Sequence, residues 1–262
     1  SNMGSNNDIS TSNTSTPITP IPITPTPLMN WGLDRINQHN LPLDGDYSPL
    51  YSGLGSNIFV VDTGIDTNHI EFQYNPIRTV ANVYNAIGSS GSSSTSGTSG
   101  IDHSGGSVID DVGHGTHCAG IIGGATVGVS KNTNIYGVKV LDNTGAGNDM
   151  QIIDGLNYVY QWYHSNNKPP TAISMSLGGA CGSTIECESD IIVQMVEKLS
   201  NIGITVIVAA GNSDCDACLE TPAFAPSSIT VGASSMEDVG AVFSDYGRCI
   251  DIYAPGVKVS SN

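Results

Sequence analysis

Basic residues are scarce in this chain. Eight Lys and Arg stand against twenty-four Asp and Glu, for a formal net charge of −16 over 262 residues. Nucleic acid and anionic membrane surfaces would repel such a chain, so the charge argues against both as partners and neither is expected. A solvated acidic surface, a basic ligand and bound cations such as calcium remain compatible with the charge. Long apolar runs are lacking as well. Stretches such as ITVIVAA (204–210) fall far short of the roughly 20 residues a bilayer-spanning helix needs. The first residues carry no charged segment followed by an apolar one, so no secretory leader is visible; one would have been removed before Ser1.

What is present divides the chain unevenly. Residues 1–27 are Ser, Thr, Asn and Pro ending in TPITPIPITPTP, and proline at that density forbids helix and sheet interior, so they read as an extended linker or tail. A structured domain, 28–262, is expected to begin near LMNWGLDRI, interrupted by a flexible insertion over 88–106 that opens with GSSGSSSTSGTSG. Apolar strands are expected at 57–62, 134–141, 171–176, 204–210 and 228–233, with helices at 114–124, 149–165 and 189–201 between them. Strands apolar on both faces alternating with helices imply an α/β fold in three layers, a mainly parallel sheet covered on both sides. Ligands of such folds bind beyond the carboxyl ends of the strands.

Chemistry-bearing residues stand at those ends. VVDTGID puts Asp62 at the end of the first strand, where it could equally cap a helix. A second Asp-Thr-Gly or Asp-Ser-Gly is lacking, which argues against the paired carboxylates of an aspartic protease. In DVGHGTHCAG (111–120), Gly113 and Gly115 allow close backbone packing around His114 at a helix start. His114, His117 and Cys118 also offer metal donors, without a fourth ligand at convincing spacing. SMSLGG (174–179) and VAAGNSD (208–214) follow strands, and their small residues would leave backbone groups open to an extended peptide, with Asn212 at the rim as a turn former or oxyanion donor. Six cysteines point weakly to an oxidising compartment, and Cys215-Asp216-Ala217-Cys218 is a lone CxxC, weak as a redox or zinc motif.

Together VVDTGID, GHGTHCAG, YGVKVLDNTGAG, SMSLGG, VAAGNS, SITVGAS and FSDYGRCIDIYAPG, in that order, resemble the subtilisin-like serine proteases, most closely the proteinase K branch. The resemblance runs from Trp31 to the last residues. It implies a secreted serine endopeptidase in which Asp62 orients His114, His114 moves the proton of a serine hydroxyl, and Asn212 stabilises the oxyanion, an interaction worth roughly 2.7–4 kcal/mol in the transition state. It makes Gly145, Ala146, Gly147 and Ser176, Leu177, Gly178 the two edges that sandwich substrate backbone. Ala209, Ala210 and Gly211 become walls of a neutral S1 pocket, with Asp214 near enough to leave a basic preference open. It further implies a structural calcium ion held by Asp251 with the carbonyls of Pro226 and Ser228, against the alternative that Asp251 merely caps or pairs locally. Cys218–Cys249 is implied as a bridge and Cys181–Cys187 is a plausible second, leaving Cys215 without an obvious partner and Cys118 as a buried free thiol.

One family block is missing. No Gly-Thr-Ser-Met-Ala occurs in the 262 residues, and neither Ser260 nor Ser261 stands in the nucleophile's context. The serine and its helix are therefore expected beyond residue 262, so the fold is expected to lack its C-terminal part. A folded preparation is expected to contain that segment, in the chain or held noncovalently, together with dependence on a prodomain. The alternative is an inactive peptide-binding module using the same cleft.

Overall fold

The computed structural model describes residues 30–87 and 108–261. The tail assigned to 1–27 and the insertion assigned to 88–106 lie outside the described residues. In chain order the helices are α1 (Trp31–Ile36), α2 (Ile70–Gln73), α3 (His114–Gly123), α4 (Asp149–Ser165), α5 (Thr184–Ser189) and α6 (Ile191–Asn201). The strands are β1 (Asn57–Asp62), β2 (Val80–Asn85), β3 (Asn134–Lys139), β4 (Thr171–Met175), β5 (Gly179–Ala180), β6 (Thr205–Ala209), β7 (Glu220–Thr221), β8 (Ile229–Ser234) and β9 (Ile252–Pro255). Seven strands form one sheet in the order β2-β3-β1-β4-β6-β8-β9, and every pairing within it is parallel. The short β5 and β7 pair antiparallel beside it.

Side chains alternate along β1, which lies near the middle of the sheet. Phe59 and Val61 join a large core with Val138, Ile173, Val206 and the inner faces of α4 and α6. Val60 points the other way, into a smaller core with Ile65, Phe72, Ala119 and Ile135 beneath α2 and α3. Both faces of the sheet are thus covered, as the doubly apolar strands require. Helix starts follow their sequence signals. Asn148 and Gln151 form a reciprocal capping box at α4. The helix expected over 189–201 is interrupted because Asp190 is extended (φ −65°, ψ 134°), ending α5 and accepting hydrogen bonds from the Ile192 and Val193 amides to start α6.

Two disulfides close, Cys181–Cys187 and Cys218–Cys249, and Cys118 and Cys215 are free thiols. The second bridge spans 31 residues, and loop closure of that size contributes about 3–4 kcal/mol. With Cys218 so committed, Cys215 and Cys218 do not form a CxxC metal or dithiol pair. The last described segment returns across the sheet edge. The Asn30 amide donates to Ser260 O at 2.7 Å, and Ser261 Oγ donates to His117 O at 2.7 Å, one turn along the helix that begins with His114.

Candidate active site

Because β1, β3, β4 and β6 run parallel, their carboxyl ends share one edge, and the residues following them converge there. Asp62 ends β1 fully buried. Its Oδ1 accepts from the Thr63 amide at 2.7 Å and lies 2.7 Å from His114 Nδ1. The His114 side chain is about half exposed (48%), against 1% for Asp62, so one end of the ring is anchored in the protein and the other faces the open edge.

Local sequence makes this docking possible. Gly113 precedes α3 at φ +95°, a conformation that side chains disfavour. At Gly115 a Cβ would collide with the carbonyl oxygen of Gly64, so only glycine lets α3 sit against the loop after Asp62. Asp110 then locks the approach. Its Oδ1 accepts from Thr63 Oγ1 at 2.8 Å and from the Val112 and Gly113 amides, and its Oδ2 accepts from the Thr116 amide and hydroxyl. Burial opposes its charge, but the donors from Thr116, Gly113 and Thr63 prevail and hold its pKa below the ordinary value. Sequence reasoning missed Asp110; its signal was a carboxylate placed just ahead of a helix start.

The hydrogen bond to Asp62 raises the pKa of His114 against the opposing effect of burial, with the charges of Asp62 and Asp110 adding to the rise. Nδ1 is occupied by the carboxylate, so Nε2 is the atom free to take a proton. Cys118 lies in the same cluster, its sulfur among donor atoms of Asp62 and His114 that are all within 4.8 Å of one another. Burial, then the Asp62 charge, pushes its thiol up to about 12. A thiol that stays protonated at neutral pH is not a nucleophile. The metal grouping of His114, His117 and Cys118 is not formed: the cluster takes in Asp62, and His117 is not part of it.

The other expected residues take distinct places. Ser176, Leu177 and Gly178 leave the end of β4, with Leu177 packed against the large core and Gly178 so close to Thr221 O that a Cβ would stand 2.8 Å from it. Gly145, Ala146 and Gly147 form an exposed turn after β3 with Gly145 at φ +78°. Ala210 is buried and its amide donates to Val231 O at 2.9 Å, while Ala209 and Gly211 are half-buried. Asn212 is exposed on the same edge as His114. Its turn is tied down by Asp245, whose amide donates to Gly211 O at 3.1 Å and whose Oδ1 accepts from the Ser213 amide at 2.7 Å. Asp245 is a second residue that sequence reasoning did not single out.

For the expected cation site, Pro226 and Asp251 line one pocket together with Phe224, Cys249 and Arg248. Asp251 is exposed and spends Oδ2 on the Thr230 amide at 2.8 Å. Hard oxygen donors sharing a pocket fit a calcium ion, and the guanidinium-bearing residue on the same wall opposes one.

A model described as "Subtilase family" matches residues 53–262. The chain is 42% identical over 231 residues to an extracellular serine proteinase of Thermus sp. (strain Rt41A), covering 88% of this chain and 49% of the relative. It is 40% identical over 235 residues to a cuticle-degrading protease of Metarhizium anisopliae, covering 88% of this chain and 53% of the relative. The chain thus spans about half the length of these curated relatives. Among solved structures, a cold adapted subtilisin-like serine proteinase superposes with a TM-score of 0.72 at 38% identity, over 88% of this chain and 74% of that one.

Proposed function

The chain belongs to the subtilase family, and from that premise we propose that it carries the acid, the base and the oxyanion donor of a secreted serine endopeptidase. The observation that carries this reading is the 2.7 Å contact between the buried Asp62 carboxylate and Nδ1 of the half-exposed His114. Held in that tautomer, His114 accepts the proton of a serine hydroxyl at Nε2 as the oxygen attacks a peptide carbonyl, then returns it to the departing amine. Asn212 donates to the oxyanion that forms in between. Water repeats the cycle on the acyl intermediate and releases the acid product. We assign the nucleophile to a serine beyond residue 262, since none of the serines within it stands in the required block. The backbone of Gly145–Gly147 and Ser176–Gly178 supplies the two edges for an extended peptide, and Ala209, Ala210 and Gly211 the walls of a neutral pocket.

A fluorophosphonate probe tests the assignment on the full-length protein. Covalent labelling is the expected result; peptide binding without labelling would instead establish an inactive binding module. We also propose that Asp251, Pro226 and Ser228 hold a calcium ion, which contributes charge neutralisation and cross-linking rather than chemistry. The C-terminal segment and a prodomain are the proposed partners in folding.

Calcium at a hundredfold over its Kd should add about 2.7 kcal/mol of stability, and thus raise Tm by roughly 5–10 °C. Asp251→Asn should erase the difference between calcium and chelator. Melting curves that are the same with calcium and with chelator in the unsubstituted protein would end the calcium assignment.

A further inference from the structure

A second cluster of donor atoms lies behind the Asn212 turn, in residues that the protease reading does not use. Cys215 follows β6, Glu220 begins β7 and Asp245 precedes β9, yet one donor atom from each lies within 4.8 Å of the other two. Asp245 is fully buried. Its Oδ1 is satisfied by the amides of Ser213 at 2.7 Å and Cys215 at 3.1 Å, whereas its Oδ2 is sealed from solvent with no hydrogen-bond partner. Leaving a buried carboxylate oxygen unmatched is costly, and something must compensate it. The Cys215 thiol lies 3.6 Å from Glu220 Oε1 and faces Asp245 as well, and its single proton cannot neutralise both carboxylates. Among the described residues, no Lys, Arg or His forms an ion pair with any of the three.

We propose that Cys215 Sγ, a Glu220 carboxylate oxygen and Asp245 Oδ2 bind a borderline-soft divalent cation of the zinc class. Bond lengths of about 2.3 Å to sulfur and 2.1 Å to oxygen in a tetrahedron separate the two donors by about 3.6 Å, the Cys215–Glu220 distance already present. The thiol selects against calcium and magnesium, which prefer oxygen alone. Three protein ligands leave the fourth position to water, since Cys215 and Glu220 are only half-buried. On binding, the thiol gives up its proton to solvent and its sulfur lone pair to the metal, with no change in oxidation state. Without a cation the group is under strain from like charge. Burial and the two neighbouring carboxylates push the Cys215 thiol up to about 11, and Glu220 is raised by burial and by Asp245.

The site has a structural consequence for the cleft. Asp245 Oδ2 lies against Gly211, so close that a Cβ there would collide with it. The 243–246 segment also pairs with the 214–217 segment through Asp214 N to Phe243 O, Tyr246 N to Cys215 O and Ala217 N to Tyr246 O. A cation bridging Cys215, Glu220 and Asp245 would therefore fasten the turn that presents Asn212.

The test is a cadmium titration of the full-length protein under non-reducing conditions, in a Cys118→Ala background that removes the other free thiol among the described residues. The expected result is a thiolate-to-cadmium charge-transfer band that saturates at about one equivalent, is displaced by zinc and not by calcium, and is absent in Cys215→Ala. Glu220→Gln and Asp245→Asn should each weaken binding by at least about tenfold. Glu220 is half-buried, so its variant keeps the test decisive if Asp245→Asn does not fold. No band, or a band of full affinity in Glu220→Gln, overturns the site and leaves only an adventitious thiol. Neither outcome depends on proteolysis, so the metal site and the protease reading stand or fall separately.

Discussion

Replacing His114 with alanine is expected to lower kcat for peptide hydrolysis by on the order of 10⁶-fold, the scale seen when the base of a Ser-His-Asp site is removed. The physical reason lies in the geometry. His114 is the group at this edge with one nitrogen fixed on a buried carboxylate and the other free. Cys118, the adjacent titratable group, is kept protonated with a pKa of about 12 and cannot act as the base. Without His114 a serine hydroxyl must attack with its proton still attached, and the departing amine must leave unprotonated. The proposed substrate edges, Gly145–Gly147 and Ser176–Gly178, are distant in sequence from α3, so KM should change little. The measurement is steady-state kinetics on a chromogenic peptide, together with the rate of fluorophosphonate labelling. A variant that retains labelling within about tenfold would mean that another base serves the serine. A loss confined to KM would mean that His114 binds substrate instead of activating the nucleophile.

Much of the site was legible in the sequence because its pieces are local. VVDTGID puts an apolar run, the carboxylate and its turn within seven residues, and β1 ends on Asp62 as that string implies. GHGTHCAG likewise encodes its own geometry, through glycines that leave no room for a side chain. An edge strand went unread. That strand, β2, VANVYN, is only half-buried along most of its length, so its polar and apolar residues lack the pattern of a core strand. Asp110 and Asp245 went unread for a different reason. Each gains its role from loops that only the finished fold brings together: Asp110 with Thr63, 47 positions away, and Asp245 with Ser213, 32 positions away. Cys215 seemed unpartnered because its neighbours Glu220 and Asp245 belong to two other segments.

Exchanging Asp62 for asparagine should leave the fold in place and lower kcat by roughly 10⁴-fold, the effect of the same substitution in another Ser-His-Asp site. The carboxylate accepts the Nδ1 proton, which leaves Nε2 basic. An asparagine amide can instead donate to Nδ1, which puts the ring proton on Nε2 and turns the base toward the serine into a donor. The pH profile separates this from simple structural damage. Asp62 is the largest cause of the raised pKa of His114, so the acidic limb of kcat/KM should lie above the ordinary histidine value near 6.5 in the parent. In Asp62→Asn that limb should move down, because neither the hydrogen bond nor the charge of the carboxylate remains. Stability should respond with the opposite preference. A histidine whose folded pKa is raised contributes stability that is fully present below the unfolded value and lost as pH rises through the folded one. The parent should therefore gain on Asp62→Asn in acid and lose that advantage toward alkaline pH, as urea unfolding at a series of pH values can measure. A collapsed kcat with the acidic limb unmoved would mean that Asp62 only braces the loop through the Thr63 amide, 2.7 Å from the same oxygen. A limb that moves down together with kcat would identify the carboxylate as the group that sets both the tautomer and the charge of the base.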